Sequence, residues 1–283
     1  MVRTYDFKDG KRLEIGRKTL VMGILNVTPD SFSDGGKWDR VDKALLHMKE
    51  MVRDGADIID VGAESSRPGG FQPMPAAEEQ ERLRPFLEAI LRECPVPVSV
   101  DTFKAETAEM AASMGVHILN DIWGLQYAEE PGRMAQVAAS YGLPVIVMHN
   151  QEGKEYGEDI VADMKSFFRE SLRIAEKAGM QREQVIFDPG IGISFGKTQE
   201  DNLVVLHRLA ELMELDGEEY PLLLGASRKS FIGHVLDLPV EERMEATGAV
   251  CVLGIQAGCQ ILRVHDVKPI SRMARMADAI MGA

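Results

Sequence analysis

The chain has 283 residues, 45 % of them hydrophobic, enough to build the core of one large domain. It contains no uninterrupted apolar run of about 18 residues that would read as a membrane span. A formal charge of −13 with no long basic tract argues against broad nucleic-acid binding.

Cys94, Cys251 and Cys259 show neither metal spacing nor a disulfide framework, and the first ten residues lack the apolar segment of a secretory signal. Buried thiols in a cytoplasmic protein are the expectation. Residues 4–18 read as a strand-like lead, and residues 19–26 as the first barrel strand, followed by a polar loop and a helix over 39–53 that Gly55 ends. Strand 58–61 precedes helix 76–93, in which Pro85 should start a new segment or bend the axis. Strand 96–100 leads to helix 105–114, stopped by Gly115, and strand 117–120 leads to helix 132–140. Strand 144–148 is followed by helix 159–178, and strand 185–187 by helix 200–215. Strand 222–224, a short segment 231–236 and helix 240–257 come next, then strand 260–264 and a closing helix 270–281.

Short, nearly continuous apolar strands alternating with longer helices are the signature of a parallel sheet covered on both faces. An open doubly wound sheet shares that local signature, but so many units in one chain favour closure. The expectation is an α/β fold, a (β/α)8 TIM barrel forming a single domain over residues 1–283 with the lead at 1–18. The strands end in polar or glycine-rich tails, among them Asn26, Asp60, Asp101, Asn120, His149, Asp188, Ser227–Lys229 and Arg263–Asp266. In a closed barrel such tails share one mouth, which suits an active site. The longest irregular pieces, 27–38, 62–75, 121–131 and 149–157, fall on that same rim.

Asp101, Asn120 and Asp188 end three different strands, and polar groups at such depth need partners. Together they read as a hydrogen-bonding set for a polar, partly aromatic ligand; singly, each reads equally as a helix cap or loop anchor. Lys229 and Arg263 bring positive charge from the last two strands, the part of the rim where many barrels hold phosphate. Neighbouring strand ends would let Arg263, His265 and Asn26 form one cluster, with arginine's fork of donors matching a phosphate. The alternative for Arg263 is an ion pair with Asp101 or a helix acid. Asn26 is a candidate oxygen ligand for Mg²⁺, which also takes substrate phosphates and waters. Pro68-Gly69-Gly70, Gly190-Ile191-Gly192 and Gly196-Lys197-Thr198 match neither a dinucleotide fingerprint nor a P-loop. Phe32 and Arg67, on the first two loops, are candidates to fold over a substrate, and Thr28-Pro29-Asp30-Ser31 also reads as a turn and cap.

These segments carry a resemblance. Met22 to Gly36, Glu64-Ser65-Ser66-Arg67-Pro68-Gly69, Ser99-Val100-Asp101-Thr102, Asn120-Asp121-Ile122, Asp188 to Gly192, Gly225 to Gly233 and Arg263-Val264-His265-Asp266 together resemble the bacterial dihydropteroate synthases. These are pterin-binding enzymes of the folate pathway and targets of sulfonamides. The likeness runs from about residue 20 to 268. It implies condensation of 6-hydroxymethyl-7,8-dihydropterin diphosphate with 4-aminobenzoate, assisted by Mg²⁺, in a homodimer packed through helices near the C-terminus. Carried onto this chain, Asp101, Asn120, Asp188 and Lys229 would hold the pterin. Asn26, Arg263 and His265 would hold the diphosphate, and Asn26 its metal ion. Asp30 and Phe32 would join Asp101, Lys229 and Arg263 among the catalytic residues. Thr28, Ser65, Ser66, Arg67, Pro68, Phe195 and Ser230 would form the aminobenzoate pocket and its loops.

The chain departs from the family pattern at Ser66, usually threonine, at Ala63, usually glycine, and at Ile193-Ser194, two extra residues before Phe195. A methyltransferase domain that binds a methylated folate shares the likeness around Asp101, Asn120 and Asp188, and a non-catalytic pterin-binding homologue is the other rival. The intact Ser227 to Ser230 and Arg263 to His265 segments favour the synthase. Ile255, Met273, Met276, Ile280 and Met281 would supply the dimer's apolar contact or cover the barrel instead.

Overall fold

Strand-to-strand pairing fixes the architecture of the computed structural model, which describes residues 1–28, 37–64, 74–151, 153, 155–193 and 196–282. Strands β1 (Arg3–Asp6) and β2 (Arg12–Ile15) form an antiparallel hairpin. Eight parallel strands follow: β3 (Leu20–Asn26), β4 (Ile58–Gly62), β5 (Val98–Asp101), β6 (Ile118–Asp121), β7 (Val145–Met148), β8 (Val185–Asp188), β11 (Leu223–Leu224) and β12 (Ile261–Val264). Between β8 and β11 lies a minor hairpin, β9 (Glu214–Leu215) with β10 (Glu218–Glu219). The order in the sheet is β11-β12-β3-β4-β5-β6-β7-β8, and a parallel bridge between Phe187 and Leu222 closes it. This is the (β/α)8 barrel anticipated from the alternating pattern.

Helices α1 (Lys37–Arg53), α2 (Ala76–Glu93), α3 (Ala105–Met114), α4 (Arg133–Tyr141), α5 (Ile160–Lys177), α6 (Gln199–His207), α7 (Ser230–Leu236), α8 (Met244–Ala257) and α9 (Val267–Met281) complete the units. In α5 the buried residues Ile160, Val161, Met164, Phe168, Leu172 and Ala175 recur every three or four positions, so one stripe faces the sheet. Asp159 starts that helix by accepting from Val161 N at 2.9 Å and Ala162 N at 3.4 Å.

The core has two parts. Val21, Val61, Val100, Leu119, Val147, Phe187 and Leu262 point outward against the helices. Leu20, Met22, Ile58, Ile118, Ile146, Ile186, Leu223 and Ile261 fill the barrel's interior, stoppered by Leu13 and Ile15 of the hairpin. His117 locks this stopper: its Nδ1 accepts from Val98 N at 2.9 Å, and its Nε2 lies 3.0 Å from Asp9 Oδ2. The interior floor is therefore apolar at the N-terminal end, which leaves chemistry to the other end.

Four expectations change. The helix expected over 240–257 begins at Met244, after a 3₁₀ turn at Val240–Glu242. Pro85 does not start a new segment: α2 is one helix of 18 residues. Proline removes one backbone bond, but Leu83, Phe86, Leu87 and Ile90, all buried on its face, hold the helical register across it. The single helix expected over 200–215 ends at His207, and a 3₁₀ turn at Leu209–Met213 leads into the β9–β10 hairpin. Asp216 and Gly217 both have positive φ, 54° and 83°, the connection that an Asp-Gly pair favours. The closing helix begins at Val267, three residues before the expected start, because Pro269 sits in its first turn where no intrahelical N–H is required. Ala63 is fully buried and does not have a positive φ, so an alanine is accommodated there without backbone strain.

Candidate active site

Side chains alternate along a strand, so a residue two places beyond a floor residue also points into the barrel. Asp60 follows Ile58 in this way, Asn120 follows Ile118, Met148 follows Ile146, Asp188 follows Ile186 and Arg263 follows Ile261. A polar layer thus sits directly on the apolar floor. The cavity above it is lined by Asp101, Asn120, Ile122, Met148, Asp188, Gly190, Ile191, Gly225, Lys229 and Arg263.

Arg263 is the centre of this layer. Its Nε donates to Asp60 Oδ2 at 2.6 Å and its Nη2 to Asp101 Oδ2 at 2.6 Å. Asn120 Nδ2 donates to the same Asp60 oxygen at 3.1 Å, which fixes the orientation of the amide. Asp60 is fully buried, and its other oxygen, Oδ1, has no hydrogen-bond partner among the described residues. Gly62 lies level with Asp101 in the sheet, where a Cβ would meet Asp101 Cβ at 3.3 Å, so the missing side chain makes room for the carboxylate.

Burial pushes Asp101 up to about 7; Arg263 opposes the shift, while Asp60 and Glu79 add to it. Burial also works against the charge on Arg263, but Asp60 and Asp101 outweigh it and raise the guanidinium above its ordinary range. Lys229, at the start of α7, is lowered to about 8, first by burial and then by Arg263, with Asp188 and Asp101 in opposition. Asp188 is raised by burial while accepting from Gly190 N at 2.7 Å. Gly190 (φ 62°) has to be glycine: a Cβ there would stand 2.1 Å from the carbonyl oxygen of His149.

The structure brings Asp101, Asn120, Asp188, Lys229 and Arg263 around one cavity. Asn26 ends β3, Thr28 lies two residues beyond it and Ser230 opens α7; these three and His265 are not among the cavity's lining residues. His265 stands on the exposed rim after β12, its Nδ1 3.0 Å from Ser227 Oγ. Arg263 turns to Asp60 and Asp101, so the ion pair considered as the alternative from sequence exists and is part of the site. Asp30, Phe32, Ser65, Ser66, Arg67, Pro68 and Phe195 lie outside the described residues, as does Ser194 of the two-residue insertion.

The cavity belongs to a wider similarity. A model of the family described as pterin binding enzyme matches residues 22–265. The chain belongs to the pterin-binding enzyme family. This pterin-binding enzyme is 54 % identical over 269 residues to the dihydropteroate synthase of Bacillus subtilis, covering 95 % of this chain and 91 % of that one. A solved dihydropteroate synthase from Clostridium difficile, in the presence of pteroic acid, superposes with a TM-score of 0.88 at 47 % identity, covering 94 % of this chain and 98 % of that one. The Xanthomonas albilineans dihydropteroate synthase, solved with 4-aminobenzoic acid, superposes at 0.90 with 36 % identity and full coverage of both chains. Within the family this pterin-binding enzyme groups with the dihydropteroate synthases, and it is a transferase.

The sequence alone gives Asp60 no role beyond opening the second strand's tail, although Ile58 two places earlier is the signal that it faces inward. Lys197 carries no such signal. It is fully buried, its Nζ 2.8 Å from His149 Nδ1, tying the loop after β8 to the end of β7. Burial is the main cause lowering it to about 7, with Asp188 and Asp201 in opposition. The unfolded chain keeps this lysine protonated to about pH 10, so the folded state binds fewer protons between about 7 and 10 and this group's contribution improves as pH rises. Lys197→Met is therefore expected to be more stable than the wild type at pH 7, by roughly 2 kcal/mol after loss of the bond to His149. That advantage shrinks toward pH 10, and urea unfolding of both proteins across the range measures it.

Proposed function

We propose that this enzyme joins 6-hydroxymethyl-7,8-dihydropterin diphosphate to 4-aminobenzoate, giving 7,8-dihydropteroate and diphosphate. The observation that carries the reading is the polar layer: a guanidinium set between two carboxylates, flanked by Asn120, Asp188 and Lys229 over an apolar floor. Carboxylates at Asp101 and Asp188 accept from the N–H groups of a pterin, Asn120 both donates and accepts, and Lys229 donates to a ring acceptor. The relatives solved in the presence of pteroic acid and with 4-aminobenzoic acid support the same reading.

In the proposed step the methylene carbon–oxygen bond breaks first and its electron pair leaves with the diphosphate. The pterin ring spreads the positive charge, and ionised Asp101 favours it electrostatically. The arylamine lone pair then forms the carbon–nitrogen bond and the amine gives up a proton, so no covalent protein nucleophile is required. Arg263 and His265 serve the leaving diphosphate. In this reading Thr28 and Ser230 serve the aminobenzoate.

Among the described residues no three histidine, cysteine or carboxylate groups gather where they could hold a metal ion. Asn26 offers one amide oxygen at the end of β3. Such a sparse oxygen set fits a hard cation that draws its other ligands from substrate phosphate and water. Mg²⁺ bound there would neutralise charge on the departing diphosphate.

The pH dependence follows from two groups. The carboxylate of Asp101 forms as pH rises through about 7, and Lys229 loses its charge above about 8. A bell-shaped kcat/KM profile with a narrow optimum between those limbs is expected, and Lys229→Arg should remove the alkaline limb. A profile flat from pH 6 to 9 contradicts these roles.

A homodimer and a cytoplasmic setting belong to the same proposal. No helix among the described residues is long and apolar enough to cross a membrane. Leu253 on α8 and Met276, Ile280 and Met281 on α9 are 63, 63, 69 and 55 % exposed, an apolar face on two adjacent helices. Ile255 is buried and Met273 packs against the core, so these two cover the barrel instead. Leu253→Asp with Ile280→Asp is expected to halve the mass seen by light scattering.

The reaction itself is tested by following pteroate and diphosphate from the pterin diphosphate, with and without 4-aminobenzoate. Arylamine-dependent pteroate is the expected result. Folded protein that binds pterin yet forms no pteroate overturns the reading.

A further inference from the structure

We propose that Ser227 is a positioning residue that sets the tautomer of His265, keeping the ring proton on Nε2 so that the imidazole offers a donor to an anion at the barrel mouth. The proposal rests on the proposed function, in which a diphosphate occupies that part of the rim. Ser227 is only 4 % exposed. Its Oγ lies 3.2 Å from the backbone N of His265 and 3.0 Å from Nδ1 of the same residue. A backbone N–H can only donate, so Oγ accepts there. The hydroxyl has one hydrogen of its own, and Nδ1 is the acceptor within its reach among the described residues. Were Nδ1 protonated, it would donate to Oγ and strand the hydroxyl hydrogen inside a buried turn, at the cost of an unsatisfied donor. The arrangement that satisfies every group has Oγ–H donating to a bare Nδ1.

The turn that holds Ser227 is itself fixed. Arg228 next to it has a φ of 55°, a left-handed conformation uncommon for a residue with a side chain. Its N donates to Thr247 Oγ1 at 3.0 Å, its carbonyl accepts from Arg243 Nη1 at 3.2 Å, and its guanidinium grips Asp266 at 2.6 and 2.8 Å. Asp266 is the residue after His265, so both sides of the Ser227–His265 contact are tied to one another.

The tautomer matters because the site disfavours a charged ring. Desolvation, then Arg263, Arg228 and Lys229, hold it below its ordinary value against the pull of Asp266. A neutral imidazole has one N–H. With it on Nδ1, the ring would turn a lone pair toward an anion; with it on Nε2, it turns a donor. The same logic governs imidazoles whose far nitrogen is fixed by a supporting hydrogen bond.

The test uses the full-length chain labelled with ¹⁵N-histidine. Multiple-bond ¹H–¹⁵N spectra report which ring nitrogen is protonated, and His265→Gln identifies the signals among the six histidines. A bare Nδ1 and a protonated Nε2 are expected in the wild type and in Ser227→Thr. Ser227→Ala should show a mixture of tautomers and bind inorganic diphosphate about three- to tenfold more weakly by calorimetry. A protonated Nδ1 in the wild type, or an unchanged tautomer in Ser227→Ala, overturns the proposal, and the wild-type spectrum decides the first point whether or not that variant folds. Failure of diphosphate to bind wild-type protein that has the stated tautomer overturns the diphosphate reading and leaves the tautomer assignment standing.

Discussion

Arg263→Ala is expected to destabilise the fold by about 3–5 kcal/mol and to reduce turnover by at least about a hundredfold. The stability loss comes from the groups left behind. Asp60 is wholly buried, and Asp101 lies beside it at the same guanidinium, so removing the arginine leaves two carboxylates facing each other without a cation between them. Protonation of one or both relieves the repulsion, so the variant should recover stability as pH falls, opposite to ordinary acid denaturation, and the recovery should begin above the wild-type value of about 7 because Arg263, which lowers Asp101, is gone. The two effects can be separated. Pairing Arg263→Met with Asp60→Asn removes the charge on both members of the deepest pair and leaves the Asn120 contact an amide partner. That double variant should regain most of the lost stability by urea unfolding, because a buried ion pair is weakly stabilising compared with neutral groups of similar size. It should regain no activity. Recovery of both would show that Arg263 holds the barrel together and takes no part in the reaction.

Much of this site is readable in the sequence because a parallel barrel enforces two rules on its chain. Strands are short and apolar, and the residues after each strand emerge at one mouth. Asp101, Asn120, Asp188 and Arg263 obey both rules, and they meet around one cavity. Asp60 lies a step deeper. Its neighbours Ile59 and Val61 read as strand, and nothing local says that a carboxylate is tolerated there until Arg263, more than 200 positions away, is known to face it. Long-range pairing of this kind leaves no trace in local pattern. Pro85 shows the reverse case, a local signal for a new segment overridden by the buried face of α2. The Asp216-Gly217 turn is written plainly in the sequence, but the apolar residues before it, Leu209 and Leu212, imitate the spacing of a helix. Ile255 and Met273 cannot be told from the exposed Met276 and Ile280 by pattern, because a helix over a barrel has apolar residues on more than one face.

Asp101→Asn tests the electrostatic half of the proposed chemistry, and it is expected to lower kcat by about 10²–10³-fold. Asparagine keeps the size and planarity of the side chain, so the close approach to Gly62 is retained and the cavity keeps its shape. The loss is a negative charge near the ring on which positive charge would build. Pterin binding should change less than turnover, since an amide oxygen still accepts a hydrogen bond while only the charged transition state loses a counter-charge. Stability should move the other way. The folded state raises Asp101 to about 7, so at pH 8 the protein bears the cost of keeping a partly buried carboxylate ionised, a cost that asparagine removes. Arg263 keeps its bond to Asp60 in the variant and is not stranded. A protein slightly more stable above pH 7 and far slower is the expected pair of results, the trade found where a site is built against the preference of the fold. Equal losses in stability and activity would place Asp101 among the structural partners of Arg263 and remove it from the chemistry.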